Sequence, residues 1–272
     1  EIINNEDLKR MEPQAHSSSG RALWSPNTVV VKSKVVLNKL EEELRKKGVK
    51  FLLNEKDWQV NADKCYLKLF DGTILDYGHL VNCSGLYADV VARKFDVGKK
   101  YRLFPFKGIY WSIKRDSLIK IQRNIYPVPD LNVPFLGVHF TPSADNDPII
   151  SIGPTATPAL GRENYRGFNA IEPISTVNNL ISLAGQYISD NGGFRKYVHE
   201  QLLLALKPVM LNSARKLIPT LKNEDIVPSN KVGIRSQLFN LETQKLEDDF
   251  LCLDGPSSTH VMNAISPAFT AS

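Results

Sequence analysis

The sequence predicts a mixed α/β (α+β) fold made of two parts. Residues 35–98 follow the order helix, strand, hairpin, strand, turn and helix, which is typical of α/β domains. After Lys100 the pattern changes to strand-like segments separated by proline-rich turns, with a helical block and more strands further on. A chain of 272 residues is long enough for one or two hydrophobic cores.

The first part begins with an amphipathic helix at residues 35–47. Its apolar side chains recur on one helical face, and Gly48 suits the position just after the helix. Residues 49–53 are then expected to form a strand. The apolar positions of the helix are Val36, Leu37, Leu40 and Leu44.

A hairpin and a second strand–helix step follow. Asp71-Gly72 lies between strand-like residues 66–70 and 73–75, and this dipeptide predicts a type I′ turn. Residues 80–83 form a short apolar strand that ends at Ser84-Gly85, and residues 87–95 are predicted to be helical. Small residues at such a strand end let the backbone approach a ligand closely.

The second part alternates strands with one helical block. Strands are predicted at residues 107–113, 135–140 and 149–152, and helices at about 175–217 with breaks at Gly192-Gly193 and Pro208. Strands return at residues 233–239, 249–253 and 260–262.

Composition narrows the function classes. The net charge of +5 is mild and the lysines are scattered, which argues against a nucleic-acid-binding protein. No apolar run approaches the roughly 20 residues of a membrane span. Cys65, Cys83 and Cys252 include no C-x-x-C, which favours buried, inert thiols in a reducing compartment and argues against a metal site.

An ordered set of short segments runs through nearly the whole chain. These segments are 82–89 (NCSGLYAD), 105–110 (PFKGIY), 126–130 (YPVPD), 134–141 (PFLGVHFT), 153–156 (GPTA), 162–165 (RENY), 233–237 (GIRSQ), 248–250 (DDF) and 260–270 (HVMNAISPAFT). In this order the set resembles the FAD-dependent D-amino-acid oxidase superfamily, and within it the L-2-hydroxyglutarate dehydrogenase/oxidase branch. The sequence departs from that branch at Lys107, where arginine is usual.

The resemblance implies a particular architecture. An incomplete FAD/NAD(P)-binding Rossmann-like domain is expected from residues 25–98 and 229–272. A mixed or antiparallel-sheet substrate domain with a helical insertion is expected from residues 1–24 and 99–228. The chain contains no G-x-G-x-x-G and begins at Glu1, so we expect an internal fragment of a longer enzyme that binds FAD poorly by itself.

The resemblance also implies a reaction: oxidation of a 2-hydroxy acid similar to L-2-hydroxyglutarate to the 2-oxo acid, by hydride transfer to the flavin of FAD. His139 or His260 is the expected catalytic base, although either could be a core histidine. Arg235 is expected to bind the substrate carboxylate, or else to form an ordinary salt bridge.

Further side chains complete the expected site. The additional substrate-binding candidates are Tyr110, Tyr126 and Arg162, each of which could instead serve packing. The cofactor-binding candidates are Cys83, Ser84, Gly85, Met262, Asn263, Ser266, Pro267 and Ala268. The last three would begin a helix whose positive dipole end faces the flavin.

Other functions remain open at this stage. The chain could belong to an amino-acid or amine oxidase, to a glycerol-3-phosphate dehydrogenase relative, or to a non-catalytic module that lost the cofactor loop, because fold does not settle function. For the enzyme, a quinone or oxygen would be the electron acceptor. The expected location is the cytoplasm, where the protein could also associate with the periphery of the inner membrane.

Overall fold

The computed structural model describes residues 1–128, 137–144, 149–190, 194–247 and 249–264. The chain forms two compact units. The first unit comprises Glu1–Lys47, Lys107–Thr157 and Asp190–Gly233, and the second comprises Gly48–Phe106, Pro158–Ser189 and Ile234–Ser272. The chain therefore passes repeatedly between the units.

These units differ from the predicted domains in four stretches, of which the two shorter are residues 99–106, in the second unit, and residues 229–233, in the first. Residues 25–47 belong to the first unit, and residues 158–189 belong to the second. The assignment of one part to the cofactor and the other to the substrate stays a prediction.

The helices and strands are as follows. The elements before residue 100 are β1 (Ile2–Asn4), α1 (Asn5–Met11), β2 (Arg21–Leu23), α2 (Ser33–Lys46), β3 (Gln59–Asn61), β4 (Tyr66–Lys68), β5 (Ile74–Asp76), β6 (Leu80–Asn82) and α3 (Ala88–Arg93). The later elements are β7 (Tyr101–Ile113), β8 (His139–Pro142), β9 (Ile150–Gly153), β10 (Thr157–Pro158), α4 (Pro173–Ser189), α5 (Phe194–Leu203), α6 (Lys207–Arg215), β11 (Ile226–Asn240), β12 (Lys245–Leu246), β13 (Leu251–Gly255) and β14 (Ser258–Asn263).

The largest sheet has the strand order β12-β11-β7-β9-β8, with β10 added beside β7. Strand β9 pairs antiparallel with both β7 and β8. In the first unit, a hydrophobic core joins the strands to helix α6, and its fully buried members include Phe140, Ile152, Met210 and Ile218. Alternating residues of β8 are buried, which fits a strand packed on one face.

The second unit contains two smaller sheets. Strands β13 and β14 form an antiparallel hairpin, and β14 pairs in parallel with β6, so that His260 lies opposite Asn82. Strands β3, β4 and β5 form an antiparallel meander. A small core of Ala92, Tyr101, Leu238 and Met262 supports this unit.

Several local predictions can be compared with these elements. Helix α2 is confirmed, and Gly48 has the left-handed φ of +83° that suits a residue after a helix. The strand predicted at residues 49–53 is wrong, since this segment follows the helix without strand structure. A strand forms only beside a hydrogen-bonded partner strand, and an apolar run does not specify one.

The hairpin between β4 and β5 is confirmed, but its predicted turn type is wrong. Gly72 has a φ of +87°, whereas Asp71 does not adopt the positive φ that a type I′ turn requires. The Leu69 N–H instead donates to the Thr73 carbonyl at 2.9 Å, and the Thr73 N–H donates to Asp71 Oδ1 at 2.9 Å. The Asp71 carboxylate thus stabilises a loop one residue longer than predicted.

The cysteines also differ from expectation. All three are free thiols, but Cys83 and Cys252 are exposed, so the prediction that they are buried is wrong. Cys83 follows β6 and Cys252 lies on β13, and one face of each of these short strands is exposed. Within the residues that the structure describes, no helix has the length and apolar character needed to cross a membrane.

Candidate active site

Four titratable side chains meet in the first unit, and we call them the His139 cluster: Tyr110, Tyr126, His139 and Lys231. The imidazole of His139 stacks on Tyr126, with ring centroids 4.4 Å apart. The Nζ atom of Lys231 lies 4.6 Å from the centroid of the Tyr110 ring. The positive charge of Lys231 lowers the pKa of His139, which links the two pairs electrostatically.

Gly153 makes the close approach of these side chains possible. It lies opposite His139 in the β8–β9 register and has a φ of +137°, which L side chains rarely adopt. A Cβ atom here would lie 3.1 Å from the Ile109 carbonyl oxygen and 3.3 Å from Cδ1 of Tyr110. Glycine therefore keeps the Tyr110 ring beside the start of β8.

The tautomer of His139 follows from one hydrogen bond. Its Nδ1 atom lies 2.9 Å from the carbonyl oxygen of Gly137. A carbonyl oxygen can only accept, so Nδ1 carries the proton and Nε2 keeps a lone pair in the neutral ring. This arrangement presents Nε2 as the proton acceptor.

Electrostatics favour the neutral imidazole. Desolvation lowers the pKa of His139 below its usual value and the charge of Lys231 lowers it further, while the hydrogen bond to Gly137 acts in the opposite direction. Desolvation also lowers the pKa of Lys231, although part of this side chain is exposed. Burial, with the charge of Tyr126, raises the pKa of Tyr110, so its hydroxyl stays protonated.

His260, the other candidate base, lies in the second unit and is fully buried. Asn82 Nδ2 lies 3.0 Å from His260 Nδ1, and Ser258 Oγ lies 3.0 Å from His260 Nε2. The Ser84 N–H donates to Asn82 Oδ1 at 3.2 Å, which fixes the orientation of the amide. Nδ1 of His260 is therefore an acceptor, and both ring nitrogens are engaged within the protein. This geometry favours a structural role.

Burial lowers the pKa of His260 from its ordinary value of 6.5, and the charge of Asp254 offsets part of this shift. Because the unfolded chain then takes up the proton first, we expect the stability contributed by neutral His260 to be complete above about pH 6.5 and to be lost as the pH falls through the lowered folded-state pKa. From this group alone, the free energy of unfolding changes by at most about 1.4 kcal/mol per pH unit. Urea unfolding between pH 7.5 and pH 5, in ~0.5-unit steps, measures it.

In this experiment His260→Gln should show a smaller loss of stability on acidification than the unmodified protein. His79→Gln is the matched control, since His79 is exposed and bonds only to Thr259 among the described residues. An unchanged acid slope in His260→Gln would contradict the assignment of His260 as a buried neutral imidazole.

The predicted cofactor-binding residues that follow β6 are exposed to solvent. Cys83, Ser84 and Gly85 are exposed, and Gly85 has a φ of +53° with no neighbouring atom within 4 Å of the place where a Cβ would stand. Strands β6 and β14 are parallel, and ligands of α/β sheets bind at the carboxyl ends of parallel strands. The uncovered backbone here fits a dinucleotide cofactor such as FAD.

Met262 and Asn263 instead have buried side chains. Met262 is 2% exposed and packs in the core of the second unit. Asn263 Nδ2 donates to the carbonyl oxygens of Glu247 and Asp249, at 3.3 and 2.6 Å. These contacts hold the end of β14 in place. The candidates Ser266, Pro267 and Ala268 lie outside the described residues.

Arg162 forms a buried ion pair with Asp89, which is fully buried on α3. Nη1 bonds Oδ1 at 2.8 Å and Nη2 bonds Oδ2 at 3.1 Å, in the two-pronged geometry that suits arginine and a carboxylate. Nη1 also donates to the carbonyl of Leu86, and Nε lies 3.8 Å from Glu172. With its nitrogens engaged in this way, Arg162 is better suited to a structural role than to binding substrate.

Arg235 lies half-buried on β11, in the second unit. Its neighbour on the strand, Gln237, is fully buried, so Arg235 stands where the strand passes from the surface to the interior. Its role in binding a carboxylate stays a prediction.

The sequence analysis missed two residues: Lys231 as a member of the His139 cluster, and Asp89 as the ion-pair partner of Arg162. Lys231 belongs to none of the recognised segments, and its place beside Tyr110 depends on how the strands pair. Asp89 lies within the segment 82–89, but its part as the partner of Arg162 was not predicted. The spacing of Asp89 and Arg93, four residues apart on a helix, was the available signal for an ion pair there.

Comparison with known proteins shows which family this chain is similar to. The model of the family "FAD dependent oxidoreductase" (DAO) matches residues 1–265. The mitochondrial L-2-hydroxyglutarate dehydrogenase of Caenorhabditis elegans is 32% identical over 100% of this chain and 64% of its own length. The L-2-hydroxyglutarate dehydrogenase of Escherichia coli K12 is 27% identical over 100% of this chain and 63% of its own. The chain thus spans less than two thirds of these relatives.

Solved structures share the fold. Glycine oxidase from Bacillus cereus superposes with a TM-score of 0.55 at 13% identity, covering 97% of this chain and 60% of that one. A glycerol-3-phosphate dehydrogenase from Bacillus halodurans, solved with FAD, gives a TM-score of 0.51 at 12% identity, covering 96% and 45%. The family match and these folds confirm the predicted fold class and FAD as the family's cofactor. The chain belongs to the DAO family of FAD-dependent oxidoreductases.

Proposed function

We propose that this chain is part of an enzyme that oxidises a 2-hydroxy acid of the L-2-hydroxyglutarate type to the 2-oxo acid, with His139 as the catalytic base. The observation that carries the proposal is the hydrogen bond from His139 Nδ1 to the Gly137 carbonyl, which leaves the Nε2 lone pair available. The names of the relatives support the substrate class, since they are L-2-hydroxyglutarate dehydrogenases.

Each member of the His139 cluster has a chemical part in this proposal. Nε2 of His139 accepts the proton of the substrate hydroxyl as the carbon is oxidised. The hydroxyls of Tyr110 and Tyr126 donate hydrogen bonds that orient the substrate. Lys231 supplies a positive charge for a carboxylate, which favours a dicarboxylic over a monocarboxylic substrate.

The cofactor has its own candidate residues. When bound, FAD supplies the two-electron acceptor for the oxidation. The exposed backbone at Cys83, Ser84 and Gly85 would hold part of the dinucleotide. The role proposed for Arg235, binding a substrate carboxylate, rests on the family resemblance. The onward electron acceptor, a quinone or oxygen, and a location in the cytoplasm or at the periphery of a membrane belong to the same proposal.

A second substrate class is an amine or amino acid, because a neutral imidazole can also accept a proton from a substrate ammonium group. The two classes are separated by anaerobic mixing of the flavin-loaded, full-length enzyme that contains this chain with L-2-hydroxyglutarate, L-lactate, glycine, sarcosine and glycerol 3-phosphate. We expect L-2-hydroxyglutarate to bleach the visible absorbance of the flavin fastest. Bleaching by an amine alone, or by glycerol 3-phosphate alone, would reject the proposal, and bleaching by none would support a non-catalytic module.

The same assay tests Lys231. We expect Lys231→Gln to lower kcat/KM for L-2-hydroxyglutarate roughly tenfold or more, the usual effect of losing one charge-assisted hydrogen bond. The value for L-lactate, which has a single carboxylate, should change less. Lys114→Gln is the matched control, since Lys114 is an exposed lysine of the same unit. Equal losses for both substrates would remove Lys231 from the selection of dicarboxylates.

A further inference from the structure

The second unit contains a polar pocket of about 260 Å³ that none of the roles above uses. Its walls come from α3, from the start of β7, from residues 159–172, from the first two turns of α4 and from Leu241. Four cationic and two acidic side chains line it, which gives the lining a formal charge of +2. The polar residues relevant here are Arg93, Lys99, Arg102, Ser175 and Asn179.

The cations of this pocket differ in how they are engaged. Arg93 donates to Asp89 at 2.9 Å and to the Tyr101 carbonyl at 3.0 Å, and Lys99 pairs with Asp96 at 2.5 Å. The side chain of Arg102 is half-buried and makes no hydrogen bond or ion pair with any residue in the described part of the chain. A partly desolvated guanidinium without a carboxylate leaves its five N–H donors available for a ligand.

Asn179 is a second, independent sign of a ligand. This side chain lines the pocket and is only 8% exposed. Its Oδ1 atom is buried and has no hydrogen-bond partner among the described residues. Buried amides are normally hydrogen-bonded, and the amide can rotate to present either its oxygen or its NH2 group. With Oδ1 buried, the NH2 group is the end of Asn179 that can donate to an oxyanion in the pocket.

The N-terminus of α4 also favours a negatively charged ligand in the pocket. This helix has 17 residues and begins at Pro173, so Ser175 lies in its first turn at the wall of the pocket. The first N–H groups of a helix have no acceptor within the helix, and the dipole makes this end positive. An anion in the pocket would meet both this helix end and Arg102.

We propose that this pocket binds a small oxyanion, the phosphate or carboxylate group of a metabolite, with Arg102 as its principal ligand. The two acidic side chains do not oppose this, because each is already engaged by Arg162. Asp89 accepts hydrogen bonds from both terminal nitrogens of that guanidinium. Glu172 accepts a hydrogen bond from the backbone N–H of Arg162 at 2.9 Å, and its carboxylate lies 3.8 Å from Nε of the same residue. The site lies wholly in the second unit and is independent of the His139 cluster.

Calorimetric titration of the purified protein with inorganic phosphate and, separately, with malonate tests the proposal. We expect at least one probe to bind, with Arg102→Gln weakening that binding roughly tenfold to a hundredfold, as for loss of an ionic hydrogen bond. Arg166→Gln removes the same charge from an exposed position of the same unit outside the pocket and should bind as the unmodified protein does.

A second variant covers the case in which Arg102→Gln folds poorly. Asn179→Leu removes the unpartnered amide, and we expect it to weaken binding of the same probe while preserving the melting temperature. A preference for phosphate would indicate a phosphate ester as the ligand, and a preference for malonate would indicate a carboxylate. Binding of neither probe, or undiminished binding by both variants, would overturn the proposal. Lys231→Gln should leave phosphate binding intact, together with the part of malonate binding that Arg102→Gln weakens, which separates this test from that of the proposed reaction.

Discussion

Replacing Asp89 by alanine is expected to lower the free energy of unfolding by about 3–5 kcal/mol, the usual cost of removing one partner of a buried ion pair. Asp89 is fully buried and accepts hydrogen bonds from Arg162, from Arg93 and from the Leu103 backbone N–H. Its loss would leave the guanidinium of Arg162, 9% exposed, without its principal counter-charge. Urea unfolding followed by circular dichroism measures the change.

Glu242→Ala is the control for Asp89→Ala. Glu242 belongs to the same unit and pairs with Lys100 at 3.5 Å, but its side chain is 67% exposed. An exposed ion pair of this kind contributes about 0–1 kcal/mol. If Asp89→Ala cost no more than Glu242→Ala, the buried ion pair would not be an important source of stability, and Arg162 would again be a candidate for substrate binding.

The second large effect is expected at His139. We expect His139→Asn to lower kcat/KM for the 2-hydroxy acid by roughly 10²–10⁴-fold, the usual contribution of a general base. Asparagine can still donate to the Gly137 carbonyl from the position of Nδ1, but it provides no base at the position of Nε2. The substitution therefore removes the proton acceptor and the stacking on Tyr126 while it keeps the hydrogen bond to Gly137. Stopped-flow reduction of the flavin measures the loss.

The pH profile separates a catalytic from a structural role of His139. Its pKa is lowered from 6.5 by desolvation, and the active form is the neutral imidazole. We therefore expect kcat/KM to be level above about pH 6.5 and to fall on the acid side as His139 becomes protonated below its lowered pKa. The acid limb should disappear in His139→Asn and persist in His16→Gln, which changes an exposed histidine of the same unit. A persistent limb in His139→Asn would assign the base elsewhere.

The sequence predicted local structure well where a short pattern determines it. The amphipathic spacing of α2, the hairpin at Asp71-Gly72 and the strand–turn–helix step at Ser84-Gly85 depend on neighbours along the chain, and each is present. The turn type at Asp71-Gly72 was wrong because hydrogen bonds from Leu69 and Thr73 select a longer loop. The strand predicted at residues 49–53 failed because strands require partners that an apolar run does not specify.

The candidate site was predicted only in part, for a related reason. Tyr110, Tyr126 and His139 were candidates by resemblance, and the structure brings them together in one unit. Lys231 reaches Tyr110 from a residue 121 positions away in the sequence, and Arg162 meets Asp89 across 73 positions. No local signal fixes such pairs, because they depend on strand register and on the packing of distant segments.

The parallel pairing of β6 with β14 has a consequence for biosynthesis. Asn82 and His260 are separated by 178 positions, so a long stretch of chain must leave the ribosome after β6 before this sheet can close. Contacts of such long range slow folding, and meanwhile the apolar strand remains available to chaperones and to other nascent chains. Yield in cells should therefore respond to translation speed and chaperone supply.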